Sequence, residues 1–144
     1  MKLLDLFAGS RSVANVAESM GWETFTSDIE PFPGIDYQVD ILDFDVDRVP
    51  FIPDVIWASP PCQFFSVGSI GIHWNKDHTP KTMNAIKGMM WVQATKEIIA
   101  KLILRSMVEN GKRPFFFIEN PRGKLRKLGL LPDKFLRTVC YCQY

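Results

Sequence analysis

Five short apolar runs punctuate the chain, and each gives way to a small, acidic or reactive residue. The first, Lys2-Leu3-Leu4-Asp5-Leu6-Phe7, stops at Ala8-Gly9-Ser10 and predicts a buried strand entering a tight turn. Residues 22–27 predict a second strand ending at Asp28, and residues 37–39 a short third ending at Asp40. Asp54-Val55-Ile56-Trp57-Ala58 predicts a fourth, running into Ser59-Pro60-Pro61-Cys62, and residues 114–118 a fifth ending at Glu119-Asn120-Pro121. A last strand candidate covers residues 136–141.

Between these runs the period changes. Val13, Val16, Ala17 and Met20 recur at helical spacing, with Ser10 or Ser12 available as a cap and Gly21 as a stop. Residues 83–110 predict one long helix, broken or kinked near Gly88 and stopped at Gly111. A basic helical stretch is expected at residues 122–128. Residues 30–38 and 64–80 lack periodicity and read as loops, the second long enough to have a functional job. Strands alternating with helices specify an α/β fold with an open, mainly parallel twisted sheet and flanking helices. In such a sheet ligands bind beyond the carboxyl ends of the strands, so Gly9, Asp28, Asp40, Cys62 and Glu119 should line one rim.

Composition narrows the class. With 144 residues, 47% hydrophobic and 23% charged, the chain suits a single domain, residues 1–144, with its own core. No run approaches the roughly 18–20 apolar residues of a membrane-spanning helix, so a soluble protein of the cytoplasm or a host-cell interior is expected. Cys62, Cys140 and Cys142 form neither a disulfide framework nor a zinc-ligand spacing, and no metal is expected. The net charge of +1 is unevenly spread: residues 1–60 sum to −8, 61–95 to +2 and 96–144 to +7. A basic half is compatible with a polyanionic partner and equally with an ordinary solvated surface.

The chemistry follows from the strand ends. Ser10, Arg11 and Ser12 after Gly9 leave no Gly-x-Gly-x-x-Gly, so a nucleoside cofactor without a pyrophosphate fits the first turn better than a dinucleotide. Asp28 stands where a carboxylate accepts hydrogen bonds from ribose hydroxyls. Two prolines fix the backbone before Cys62 and hold its thiol at the rim, where it can add to an electron-poor ring carbon. Glu119, on the neighbouring strand end, is the candidate acid for a ring nitrogen. Taken singly, a free cysteine is more often a small space-filling hydrophobe and a strand-end glutamate a surface acid. Their pairing at one rim favours chemistry.

Asp5-Leu6-Phe7-Ala8-Gly9, Ser59-Pro60-Pro61-Cys62-Gln63-x-Phe65-Ser66 and Glu119-Asn120-Pro121, in that order, resemble the cofactor, nucleophile and glutamate motifs of the DNA cytosine-5 methyltransferases. The resemblance implies S-adenosylmethionine as methyl donor and double-stranded DNA as substrate. Phe7, Ala8, Gly9, Ser10, Asp28, Ile29, Asp40, Ile41 and Pro60 would form the cofactor site, with Phe7 and Ile29 on the adenine, Asp28 on the ribose and Asp40 on the adenine amino group. Cys62 would attack C6 of a flipped cytosine and Glu119 would protonate N3. Pro61, Gln63, Ser66 and Asn120 would contact the substrate, and the loop after Cys62 would close over DNA. Arg122, Lys124, Arg126, Lys127, Lys134 and Arg137 are candidate phosphate contacts.

The chain departs from the family pattern at Ser10-Arg11-Ser12, where glycines are usual, and at Pro121, where valine is usual. The family's glutamine-and-arginine motif, target-recognition region and final helix are expected beyond Tyr144, so a second chain is a candidate supplier of those parts. Three alternatives stay open. One is a non-catalytic or partner-dependent module that binds S-adenosylmethionine or DNA. Another is an amino-methyltransferase using Ser59-Pro60-Pro61, though such enzymes place an aromatic residue where Cys62 stands. The most remote is a redox-active or metal-binding cysteine protein.

Overall fold

The computed structural model describes residues 1–139. In chain order its elements are β1 (Lys2–Leu6), α1 (Ser12–Ser19), β2 (Glu23–Asp28), β3 (Tyr37–Gln38), β4 (Val55–Ala58), α2 (Ile70–His73), α3 (Met83–Asn110) and β5 (Phe115–Ile118), with short 3-10 turns between them. The five strands form one wholly parallel sheet in the order β3-β2-β1-β4-β5. The order turns back at β1, so the switch point, where a parallel sheet leaves a crevice for a ligand, lies between β1 and β4.

Alternation along the strands decides what each face meets. Leu4, Leu6, Ile56 and Ala58 point to one side and pack on Ile98, Ile99 and Leu102 of α3. The link from β3 to β4 holds no α-helix. It crosses this face as two 3-10 turns, Ile41–Asp43 and Val46–Arg48, and inserts Ile41, Phe44, Val49 and Phe51 into the same core. On the opposite side Leu3 and Val55 pack on Ala17 of α1. That helix leaves β5 uncovered, and Phe115 and Phe117 remain 69% and 49% exposed.

The long helix is continuous. Gly88 does not break α3, and it serves a packing need: a Cβ there would stand 3.1 Å from the rings of both Phe64 and Phe65. The N-terminal half of α3 carries Ala85 and Val92 into a second core with Phe65, Trp74 and Leu125. One helix thus spans both cores. Thr82 caps its start through Ala85 N–H, and Gly111 ends it in the left-handed conformation.

Neither Ser10 nor Ser12 caps α1; the N-cap is Arg11 at φ 61°, without a side-chain cap. The expected helix at residues 122–128 is only the 3-10 turn Leu125–Lys127, since Pro121 and Gly123 precede it and Gly129 follows. Residues 136–139 form no strand, and the rest of that strand candidate, with Cys140 and Cys142, lies outside the described residues. Among the described residues no helix is long and apolar enough to cross a membrane.

Candidate active site at the strand ends

Backbone bonds past the strand ends draw the rim together. Ala8 N–H reaches Ser27 C=O at 3.0 Å, Val39 N–H reaches Asp28 C=O at 2.9 Å, Ser59 N–H reaches Leu6 C=O at 3.2 Å, and Glu119 N–H reaches Ala58 C=O at 2.8 Å. Gly9, Asp28, Asp40, Cys62 and Glu119 therefore leave the same edge of the sheet.

Between β1, β2 and β3 this edge opens into a shallow cleft lined by Phe7, Ser27, Asp28, Ile29, Val39, Asp40, Ile41, Pro61 and Trp91. Phe7 holds φ 59°, a conformation that costs a non-glycine residue of order 1 kcal/mol and turns the chain sharply into Ala8-Gly9. Gly9, at φ 52°, continues that turn. Its N–H donates to Asp28 Oδ2 at 2.9 Å, while Asp28 Oδ1 accepts from Glu30 N–H at 2.9 Å. Asp40 Oδ1 accepts from Leu42 N–H at 3.1 Å and so caps the turn Ile41–Asp43. Two carboxylates set among flat apolar side chains suit a nucleoside, with hydroxyl and amino donors on its rim and an apolar face.

Of the residues expected to hold a cofactor, Phe7, Asp28, Ile29, Asp40 and Ile41 line this cleft. Ala8 is buried and Ser10 exposed just beyond the turn. Pro61 lines the cleft, whereas Pro60 is buried, with its carbonyl facing Asn120. Trp91 was not singled out from the sequence. It comes from α3, and its ring also packs on Phe64 at 6.0 Å, joining the cleft to the turn that carries Cys62. Its signal was a place in the stripe Trp91, Thr95, Ile98, Leu102, which reports a buried helix face but not what that face meets.

Cys62 opens the 3-10 turn Cys62–Phe64 as a half-buried free thiol. Its carbonyl accepts from Phe65 and Ser66 N–H, both at 2.9 Å, which closes the turn. Glu119 follows β5 directly and is half-buried. The β4–β5 register, Ala58 opposite Ile118, brings the strand ends that carry these residues side by side. Asn120 Nδ2 donates to Pro60 C=O at 2.8 Å, and its Oδ1 is buried with no donor among the described residues. Gln63 is exposed; Ser66 Oγ lies 3.0 Å from Ser69 Oγ. In the segment expected to close over DNA, Phe64, Phe65 and Trp74 are buried, with Trp74 Nε1 donating to Phe64 C=O at 2.6 Å, and Val67 and Ile72 are the large apolar residues that project.

Electrostatics single out Asp5, the first residue of the turn motif. It is 2% exposed, and burial pushes its carboxyl up to about 6, assisted by the nearby Asp28 charge. The Ala14 N–H and the Arg11 charge oppose that rise. Asp5 Oδ2 and Arg11 Nε are both buried without a hydrogen-bond partner among the described residues. Among the basic candidates, Arg122, Lys127, Lys134 and Arg137 are exposed and Arg126 is half-buried. Lys124 is not a surface cation: it is 2% exposed, its ammonium lies 5.3 Å from the Trp74 ring centre and against His78 Nδ1, and desolvation lowers its pKa.

No protein-family model matches the chain. It is similar over its entire length to a probable DNA (cytosine-5)-methyltransferase of Frog virus 3 (isolate Goorha), at 35% identity across 151 aligned residues. The chain spans 64% of that relative's length. A wholly parallel sheet with a cleft at its strand ends thus belongs to a chain that is similar from end to end to a probable DNA (cytosine-5)-methyltransferase.

Proposed function

We propose that this protein transfers a methyl group from S-adenosylmethionine to C5 of cytosine in DNA, through a covalent adduct at Cys62. The observation that carries the reading is the pairing of Cys62 and Glu119 on the ends of neighbouring parallel strands, beside a cleft edged by Asp28 and Asp40.

The cleft residues fit the donor's nucleoside. Asp28 would accept from the ribose hydroxyls with lone pairs left over from Gly9 and Glu30, and Asp40 from the adenine amino group. Phe7, Ile29, Ile41 and Trp91 supply the apolar surfaces for the base. When bound, the donor supplies an electrophilic methyl group on a sulfonium.

Cytosine C6 is a weak electrophile, so addition needs two groups at once. The Cys62 thiolate forms the S–C6 bond, while the Glu119 carboxylic acid gives its proton to N3 and holds it there. The electron pair of the C5–C6 double bond then resides on the enamine, and C5 takes the methyl group as the donor's sulfur leaves as a neutral thioether. Removal of the C5 proton by a base restores the double bond and expels Cys62 as thiolate, and N3 returns its proton to Glu119. Both groups act on a base drawn out of the stack, which costs a few kcal/mol of unstacking. The exposed cations Arg122, Lys127, Lys134 and Arg137 stand on the same segment of chain that follows Glu119, where phosphate contacts would offset that cost.

A duplex bearing 5-fluorocytosine tests this directly. Fluorine at C5 does not leave as the proton does, so the adduct is trapped and migrates as a protein–DNA band on a denaturing gel. The band should need S-adenosylmethionine and vanish in Cys62→Ala. A band that persists in Cys62→Ala would assign the nucleophile elsewhere.

A further inference from the structure

The ladder between β4 and β5 runs out just before the chemistry. Its last rung is Glu119 N–H to Ala58 C=O, and the β4 side then continues through Pro60 and Pro61, which have no N–H to give. A segment without donors is held only through its carbonyls. Two carbonyls that flank Cys62 are taken by the stretch immediately after Glu119. Asn120 Nδ2 donates to Pro60 C=O at 2.8 Å on one side, and Lys124 N–H donates to Phe65 C=O at 2.7 Å on the other.

Gly123 makes the second of these bonds feasible. A Cβ built on it would stand 2.2 Å from Phe65 O and 3.2 Å from Phe65 C, far inside contact distance. The φ of Gly123 is not in the left-handed region, so the position needs the absence of a side chain and not glycine's conformational range. Both chains at this contact are anchored from behind. Phe65 stacks on Trp74 in the second core, and Leu125 is buried beside them.

We propose that Asn120 and Gly123 are positioning residues: with the Lys124 amide they clamp the turn that bears Cys62 onto the strand end that bears Glu119. The two reacting groups then keep a fixed separation although no sheet bond joins them. This role rests on the reading of Cys62 as nucleophile and Glu119 as acid. It also commits the Asn120 amide to Pro60, leaving only the unpaired Oδ1 free to meet a substrate.

Hydrogen–deuterium exchange of the full chain, read by mass spectrometry, tests the clamp without any need for turnover. In Asn120→Ala and Gly123→Ala, amides in residues 62–66 and 121–125 should exchange at least tenfold faster. Protection of β1 and of the C-terminal half of α3 should stay unchanged. If Gly123→Ala does not fold, Asn120→Asp, which keeps the size and loses the donor, carries the same expectation. Unchanged exchange at residues 62–66, or an equal rise throughout the sheet, would overturn the proposal.

The same variants should form the 5-fluorocytosine adduct at least tenfold more slowly at saturating DNA and cofactor, with cofactor affinity unaltered. Equal adduct rates in variant and wild type would likewise overturn the positioning role. If exchange rises locally while the wild type forms no adduct, the clamp stands and the cytosine chemistry falls.

Discussion

The Gly9 amide and the Asp28 carboxylate, nineteen residues apart in sequence, meet at 2.9 Å and lock the turn after β1 to the end of β2. One side chain thereby shapes the floor of the cleft and presents its remaining lone pairs into it. Asp28→Ala should cost about 1–2 kcal/mol of stability, the usual penalty for stranding a partly buried donor to a charged acceptor. It should also weaken S-adenosylmethionine binding by roughly tenfold or more, read by calorimetric titration. Asp28→Asn keeps an acceptor for Gly9 and should recover most of the stability. Unaltered cofactor affinity in Asp28→Ala would remove Asp28 from the ribose site.

Cys62 and Glu119 should separate cleanly in kinetics. Cys62→Ser is expected to abolish adduct and methyl transfer while leaving cofactor affinity intact. Glu119→Gln should slow transfer by about 100-fold or more, since general acid catalysis typically supplies that much. A large loss of cofactor affinity in Glu119→Gln would mean that Glu119 belongs to the cofactor site. Methyl transfer surviving in Cys62→Ser would point to amino-group chemistry at Ser59-Pro60-Pro61.

Asp5 makes stability depend on pH in the direction opposite to a salt-bridged acid. Its folded pKa of about 6 lies above the ordinary 3.8, because burial disfavours the charged form. Well below pH 3.8 both states are protonated and there is no penalty. As pH rises from 4 to 6 the unfolded chain releases its proton first, and stability falls. Asp5→Asn keeps an acceptor for Ala14 N–H and should be more stable than wild type above pH 6, by about 1–3 kcal/mol. The advantage should vanish below pH 4 in denaturant titrations. An advantage that is the same at every pH would show that Asp5 is not the titrating group.

Gly88→Ala sets helix propensity against packing. Alanine inside a helix is worth about 1 kcal/mol over glycine. The new Cβ would press on the rings of Phe64 and Phe65 at 3.1 Å, and overpacking of a filled core costs about 1–3 kcal/mol. A net loss of about 1 kcal/mol, seen as a melting point lower by a few degrees, is expected. A higher melting point would mean that the two rings yield freely.

Much of this molecule is determined by local sequence. Apolar runs that end at Gly9, Asp28, Asp40, Ser59 and Glu119 specify five strands and the rim where they stop, because strand burial and turn chemistry act over a few residues. The same locality explains why Phe7, Asp28, Ile29, Asp40 and Ile41, taken from the strand ends, fall in one cleft. Register and long-range fit are another matter. Pro61 lines the cleft, while the Pro60 carbonyl meets Asn120 sixty residues away. Trp91 enters the cleft, and Gly88 stays inside an unbroken helix, because α3 crosses two cores that no local pattern encodes. Lys124 reads as one cation in a basic stretch, yet it is buried beneath Trp74 and His78. Sequence alone decided which residues could do chemistry and at which end of the sheet, since that follows from side-chain type and strand polarity. Tertiary structure alone decided how the turn that bears Cys62 meets the stretch after Glu119, since that rests on carbonyls, an amide and a missing Cβ brought into contact by packing.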